Sequence, residues 1–230
     1  MAEGVRQFVK YSFYRVDPAW RRLPDGERED HRRELEAVVG EFGGRMEVRS
    51  YTLVGLRADV DFLLWQVATD LRDVQEMATG VYRTGLGKYL TMPYSYLALT
   101  RRSPYVGGHR HPGQEGASAT LRPEDAPYLV VYPFVKTDGW YQLSREERQG
   151  MMTQHFTIGH KYPGVHINTT YSFGLDDQDH VVSFNVTDLG EFLELVMEMR
   201  ESSARPYTER DTPIFTCRKG EVMGVLESLG

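Results

Sequence analysis

Residues 127–158 read PYLVVYPFVKTDGWYQLSREERQGMMTQHFTI, and this stretch decides how the rest of the chain is read. PYLVVYPFV has the apolar, β-branched and aromatic content of a buried strand. Ser144 followed three residues later by Glu147 is a capping-box signature, so a helix opens there and carries His155. Downstream, VHINTTYSF (165–173) and HVVSFNV (180–186) read as strands separated by the turn-like LDDQD. Asp188 and Glu191 form a second box signature before a helix with Leu189, Phe192, Leu193 and Val196 facing one way, and PIFTCR (213–218) is the last strand. The order is strand, helix, strand, strand, helix, strand.

The same order stands in the first half. Val9, Tyr11 and Phe13 alternate with Lys10, Ser12 and Tyr14 in an opening strand. PDGEREDHRRELEAVVGEF (24–42) then places Leu35, Val38, Val39 and Phe42 at helical spacing, with Gly43 and Gly44 as the stop. MEVRSYTLVGL (46–56) and VDFLLWQVA (60–68) read as strands. A helix over about Asp70 to Val81 carries Leu71, Val74, Ala78 and Val81 on one side, and MPYSYLALT (92–100) is a further strand. The expectation is an α+β chain of two ferredoxin-like βαββαβ halves, at 1–104 and 127–230, making a dimeric α+β barrel-like subunit. Residues 105–126, rich in Gly, Pro and charge, connect the halves, and a connector of that length is often functional.

The chain of 230 residues carries 33 acidic and 27 basic side chains, a net charge of −6, which provides no electrostatic footprint for nucleic acid or anionic lipid. No stretch approaches the roughly 20 apolar residues that cross a bilayer, and MAEGVRQFVKYSFYRV lacks the pattern of an export signal. A single cysteine, Cys217, fits a reducing compartment and excludes a Cys-based zinc site. The expectation is a cytoplasmic protein with no nucleic-acid or membrane partner.

Three of the seven histidines fall within QHFTIGHKYPGVH (154–166). His155 and His160 are five apart and diverge by roughly 140° on a helix, and no HExxH pattern is present, so a three-histidine zinc cage is disfavoured. His155 lies on the apolar stripe of its helix with Met151, Met152 and Ile158, where it is read either as a packed core histidine or as a ligand. Spacing alone does not choose between these.

YPFVK (132–136), WYQLSREER (140–148), QHFTIGHKYPG (154–164), GLDD (174–177), VMEMR (196–200) and SAR (203–205) occur in this order as in the chlorite dismutase superfamily, and the chain most resembles its coproheme decarboxylase branch. The resemblance implies an iron porphyrin in the second half, with the axial imidazole at His155 as metal ligand, and a homo-oligomer, commonly a pentamer. It implies oxidative decarboxylation, driven by hydrogen peroxide, of two propionates of iron coproporphyrin III (coproheme) to give haem b. The porphyrin is then both substrate and redox centre. Tyr132 stands at the position of the family's radical tyrosine. Lys136, Arg200, Arg110 and Ser203 match positions that grip the porphyrin carboxylates. His109 and His111 are candidates for the distal base of the actinobacterial type. Chlorite dismutases carry a distal arginine on the strand after the axial helix, where this chain reads VHINTTYSF and offers Asn168 or Thr169 as the nearest polar residue. Two rival expectations remain: a chlorite-decomposing enzyme that releases oxygen, and a haem-binding or sensing protein of the same fold.

Overall fold

The computed structural model describes residues 5–105 and 120–230. The chain divides into two compact units, one formed by Val5–Leu99 with Thr216–Gly230 and the other by Thr100–Phe215.

In the first unit, strands β1 (Phe8–Val16), β2 (Met46–Thr52), β3 (Phe62–Ala68), β4 (Leu90–Leu99) and β9 (Phe215–Gly220) form an antiparallel run in the order β4-β1-β3-β2-β9. Helices α1 (Asp25–Glu41) and α2 (Leu71–Arg83) cover one face. Their apolar stripes, Leu35 and Val39 on α1 and Val74, Met77 and Val81 on α2, bury against Tyr14, Phe62 and Leu64 of the sheet. The α2 start is fixed by Asp70, whose side chain accepts from the Arg72 amide and satisfies one of the unpaired donors of the first turn.

The second unit repeats the pattern. Strands β5 (Tyr128–Lys136), β6 (Val165–Tyr171), β7 (His180–Val186) and β8 (Thr208–Arg210) run antiparallel in the order β6-β7-β5-β8. A short helix α3 (Asp138–Gln142) and two longer ones, α4 (Arg145–Gly159) and α5 (Leu189–Arg200), complete it. The expected capping box at Ser144 and Glu147 is formed in both directions: the Glu147 amide donates to the Ser144 hydroxyl at 3.2 Å, and the Ser144 amide to Glu147 Oε2 at 2.8 Å.

The last strand, β9, pairs with β2, with Thr52 opposite Arg218 and Ser50 opposite Gly220, and the helix that follows, α6 (Val222–Glu227), packs in the core of the first unit. In the second unit the three-residue β8 lies beside β5. Two details depart from the sequence reading. At α5 the Asp188 carboxylate caps Gly190, but Glu191 does not return to the cap. It accepts instead from the Gly164 amide at 2.9 Å, tying the turn before β6 to the start of α5. Leu193 is 58% exposed, and the buried stripe of α5 runs through Phe192, Leu195 and Met199, roughly 100–160° away on the helix.

Candidate active site

Side chains alternate across a strand, so the register of β5, β6 and β7 sorts the site residues by face. Val130, Tyr132, Phe134 and Lys136 share one face of β5, with Phe184, Val182 and His180 opposite on β7. On this face Val130, Val182, Phe184 and Val186 meet Ile158 of α4 and Leu195 of α5 in one apolar cluster, and the Tyr132 ring lies 5.8 Å from that of Phe184. His155, one helical turn before Ile158, belongs to the same helix held by the Ser144 box. The Tyr132 phenol has its pKa pushed well up, mainly by burial and further by Asp211, while Arg200 and Arg205 pull it back. It is therefore neutral at any physiological pH.

Burial depresses His155 to a pKa of about 4, with the nearby Lys136 ammonium adding to the effect. The ring touches Phe156 edge-on, with centroids 6.3 Å apart. A half-buried, neutral imidazole is the form in which histidine ligates a metal. Lys136 is itself depressed, to about 8, by burial and by Arg205. Its ammonium sits 4.2 Å from the Trp140 ring centroid and 3.5 Å from the Ala204 carbonyl oxygen. Among the described residues it has no carboxylate partner.

Arg200 and Arg205 share one carboxylate, Asp211, at 3.1 and 2.6 Å. Lys136, Arg200 and Arg205 thus bring three positive charges to one negative one beside Tyr132, a local cation excess in a chain of net charge −6. Arg200, expected on the apolar face of its helix, is instead 42% exposed and ion-paired. The Ser203 amide and hydroxyl both donate to Gln154 Oε1, which ties the turn after α5 to the residue next to His155.

The remaining sequence candidates fare differently. His109, Arg110 and His111 lie outside the described residues. Asn168 is corrected: it faces Ser183 in register, on the side of the sheet opposite Tyr132, and its amide donates to Asn185 at 2.9 Å in a buried pair. Thr169, opposite Val182, is the polar residue of β6 that shares the face of Tyr132. No residue of β6 on that face is basic. His160 caps the end of α4 exposed, and His166 lies on the far face of β6, so they do not converge with His155.

Sequence reasoning passed over three residues. Arg205 was present in the SAR string but unassigned. Arg148 stands seven residues before His155, two turns along the same helix face, and its Nε is buried without a hydrogen-bond partner. His180 shares the face of Tyr132; burial and Lys136 lower its pKa to about 4, and its Nδ1 is buried and unpaired. The sequence signal for Arg148 and Arg205 is only a charge within a matched string, and His180 lies outside those strings. A groove of about 530 Å³ along the other side of α4, lined by Arg145, Glu146, Gln149, Gly150 and Thr153, contains none of this chemistry.

An iron porphyrin bearing carboxylates fits this set of groups. A neutral imidazole is available as axial ligand, cations with no carboxylate of their own are available for anionic side arms, and unpaired buried polar atoms await partners. Among the described residues no cluster of three or more His, Cys, Asp or Glu is placed to hold a bare metal ion.

Comparison with known proteins agrees with this chemistry. The chain is 31% identical over 180 residues to a coproheme decarboxylase of Mycolicibacterium smegmatis, covering 78% of this chain and 75% of that protein. It is 32% identical over 213 residues to a coproheme decarboxylase of Staphylococcus carnosus, covering 84% of each. Among solved structures, a variant of chlorite dismutase from Candidatus Nitrospira defluvii superposes with a TM-score of 0.87 at 25% identity, covering 96% of this chain and 94% of that one. A heme-binding protein from Thermus thermophilus, 24% identical, shares the fold with a TM-score of 0.85 over 97% of this chain and 94% of that one. With residues 28–220 matching the family described as chlorite dismutase, this chain belongs to the chlorite dismutase family.

Proposed function

We propose that this protein is a coproheme decarboxylase that uses hydrogen peroxide to convert two propionates of iron coproporphyrin III into the vinyl groups of haem b. The observation that carries this reading is the placement of a buried, neutral Tyr132 beside a cation cluster on the sheet face that packs under the helix of His155. Identity above 30% to two coproheme decarboxylases over most of the chain supports it.

In this reading the His155 imidazole, uncharged above about pH 4, holds the substrate iron from the helix side. Lys136, Arg200 and Arg205 take carboxylates, and the attraction is strengthened because Lys136 stands in a desolvated position. Ser203, bonded to Gln154, keeps the turn carrying Arg205 against α4. The bound porphyrin supplies the oxidising equivalents of peroxide. Tyr132, having first given its phenol hydrogen (one electron and one proton) to that oxidant, takes a hydrogen atom from the ring-attached methylene of a propionate and regains its O–H. A second electron leaves, the bond to the carboxylate breaks, carbon dioxide departs, and the two remaining carbons become a vinyl group. Each propionate gives up two electrons, which reduce one peroxide to water. The phenol suits this relay because its raised pKa keeps the hydrogen on oxygen until oxidation. His109 or His111 serves as the base that accepts a proton from peroxide, and Arg110 takes a further propionate. The enzyme works in the cytoplasm as a homo-oligomer.

Anaerobic loading with iron coproporphyrin III, peroxide titration and mass spectrometry test the proposal. The expected product has lost two carboxyl groups at two peroxides consumed; a porphyrin of unchanged mass would refute it. The chlorite reading is disfavoured by the absence of a basic residue on the Tyr132 face of β6.

A further inference from the structure

Arg148 is the one strongly basic side chain on the His155 face of α4. Its backbone amide closes the first turn onto the Ser144 carbonyl at 3.2 Å, so its position is fixed by the capping box. The Nε is fully buried with no hydrogen-bond partner, and among the described residues the guanidinium forms no ion pair. Its electrostatic neighbour is the Tyr141 phenol, whose O–H donates to Asp179 Oδ2 at 2.6 Å. Asp179 is meanwhile engaged by the Lys136 amide at 2.8 Å. The Asp179 carboxylate beside Tyr141 thus already accepts two hydrogen bonds.

A buried guanidinium N–H with no acceptor is costly unless an anion completes it. Seven residues of α-helix place Arg148 about 10 Å along the axis from His155 and nearly in line with it. That offset is comparable with the distance from a porphyrin's central iron to a carboxylate at its edge. Arg148 is also separate from the cation group already described, since it lies on α4 whereas Lys136 ends β5 and Arg200 ends α5.

We propose that Arg148 binds one carboxylate of the tetrapyrrole substrate, a second point of attachment that a four-carboxylate porphyrin can reach while it also engages Lys136, Arg200 and Arg205. This rests on the iron-porphyrin reading above. In chemical terms, Arg148 donates charge-assisted hydrogen bonds to a propionate oxygen, and the planar fork favours two parallel bonds.

The test is equilibrium titration of the full chain and its Arg148→Met and Arg148→Lys variants with ferric coproporphyrin III and with its tetramethyl ester, read by the Soret band and by tryptophan quenching. Arg148→Met is expected to weaken coproporphyrin binding by about ten- to a hundred-fold, with the Soret position unchanged because His155 still ligates. Arg148→Lys should recover part of the loss, and the ester, which has no anion to offer, should bind the wild type and Arg148→Met alike. Equal affinity of wild type and Arg148→Met for the tetra-acid would overturn the inference. So would an equal loss for acid and ester, which would assign Arg148 a packing role. If the wild type itself binds no iron porphyrin, the functional reading fails first, and that result is distinct from either of these.

Discussion

Lys136 makes the substrate's affinity a function of pH, and the size of that dependence follows from its surroundings. Burial and Arg205 bring its pKa to about 8 in the free protein. A bound carboxylate returns the charge, so in the complex the ammonium regains at least the ordinary lysine value of about 10.4. Binding is then coupled to proton uptake between these two values. From pH 7 to about pH 9.5 the free protein passes from mostly charged to about 3% charged at this site, and the dissociation constant for ferric coproporphyrin III should rise about 30-fold, or roughly 2 kcal/mol. The sign is fixed: affinity is full below about pH 8 and falls as pH rises above it. Lys136→Met removes the linked proton and serves as the reference against which other titrations, such as hydroxide at ferric iron, cancel. The assay is Soret titration across this range, paired with calorimetry at about pH 8.5 in two buffers of different ionisation enthalpy to count the proton taken up. If wild type and Lys136→Met weaken in parallel with pH, the ammonium does not meet a carboxylate and the reasoning fails.

Tyr132→Phe keeps the ring against Phe184 and loses only the O–H, so porphyrin affinity should hold within about threefold while decarboxylation falls on the order of a hundredfold or more, checked by mass spectrometry of the product. Acid should weaken the porphyrin-free protein through His155 and His180, both held near pKa 4 by burial. Because the folded state binds fewer protons than the unfolded chain, this stability is complete above about pH 6.5 and lost as pH falls toward 4, on the order of 2–3 kcal/mol for each histidine. Urea midpoints at about pH 7 and 4.5 measure it, and a His155→Phe, His180→Phe double variant that keeps the full acid sensitivity would count against it.

Much of the fold was legible because it is written in local signals. The Ser144 box, the Asp70 cap and the alternation in β1 and β5 each depend on residues within a few positions of one another, and sequence displays these directly. The errors arose where partners are distant in sequence. Glu191 fits a capping box as well as any glutamate, but the Gly164 amide, 27 residues away, claims it. At the site, the proposed roles of His155, Tyr132 and Lys136 come from matched strings rather than from spacing. Asn168 was misplaced because one residue of strand register reverses the face, and only the pairing with β7 fixes that register. Arg148 and Arg205 were invisible for another reason: an arginine's role depends on whether a carboxylate has already claimed it, which no spacing rule reports.

The central claim is that the His155 imidazole ligates the iron of a bound porphyrin. An absorption spectrum of the chain reconstituted with ferric coproporphyrin III, compared with His155→Ala, tests it most directly. The alanine variant is expected to lose the histidine-ligated Soret band and to regain it on addition of free imidazole, which fills the space left by the ring. A Soret band of unchanged position and intensity in His155→Ala would contradict the account.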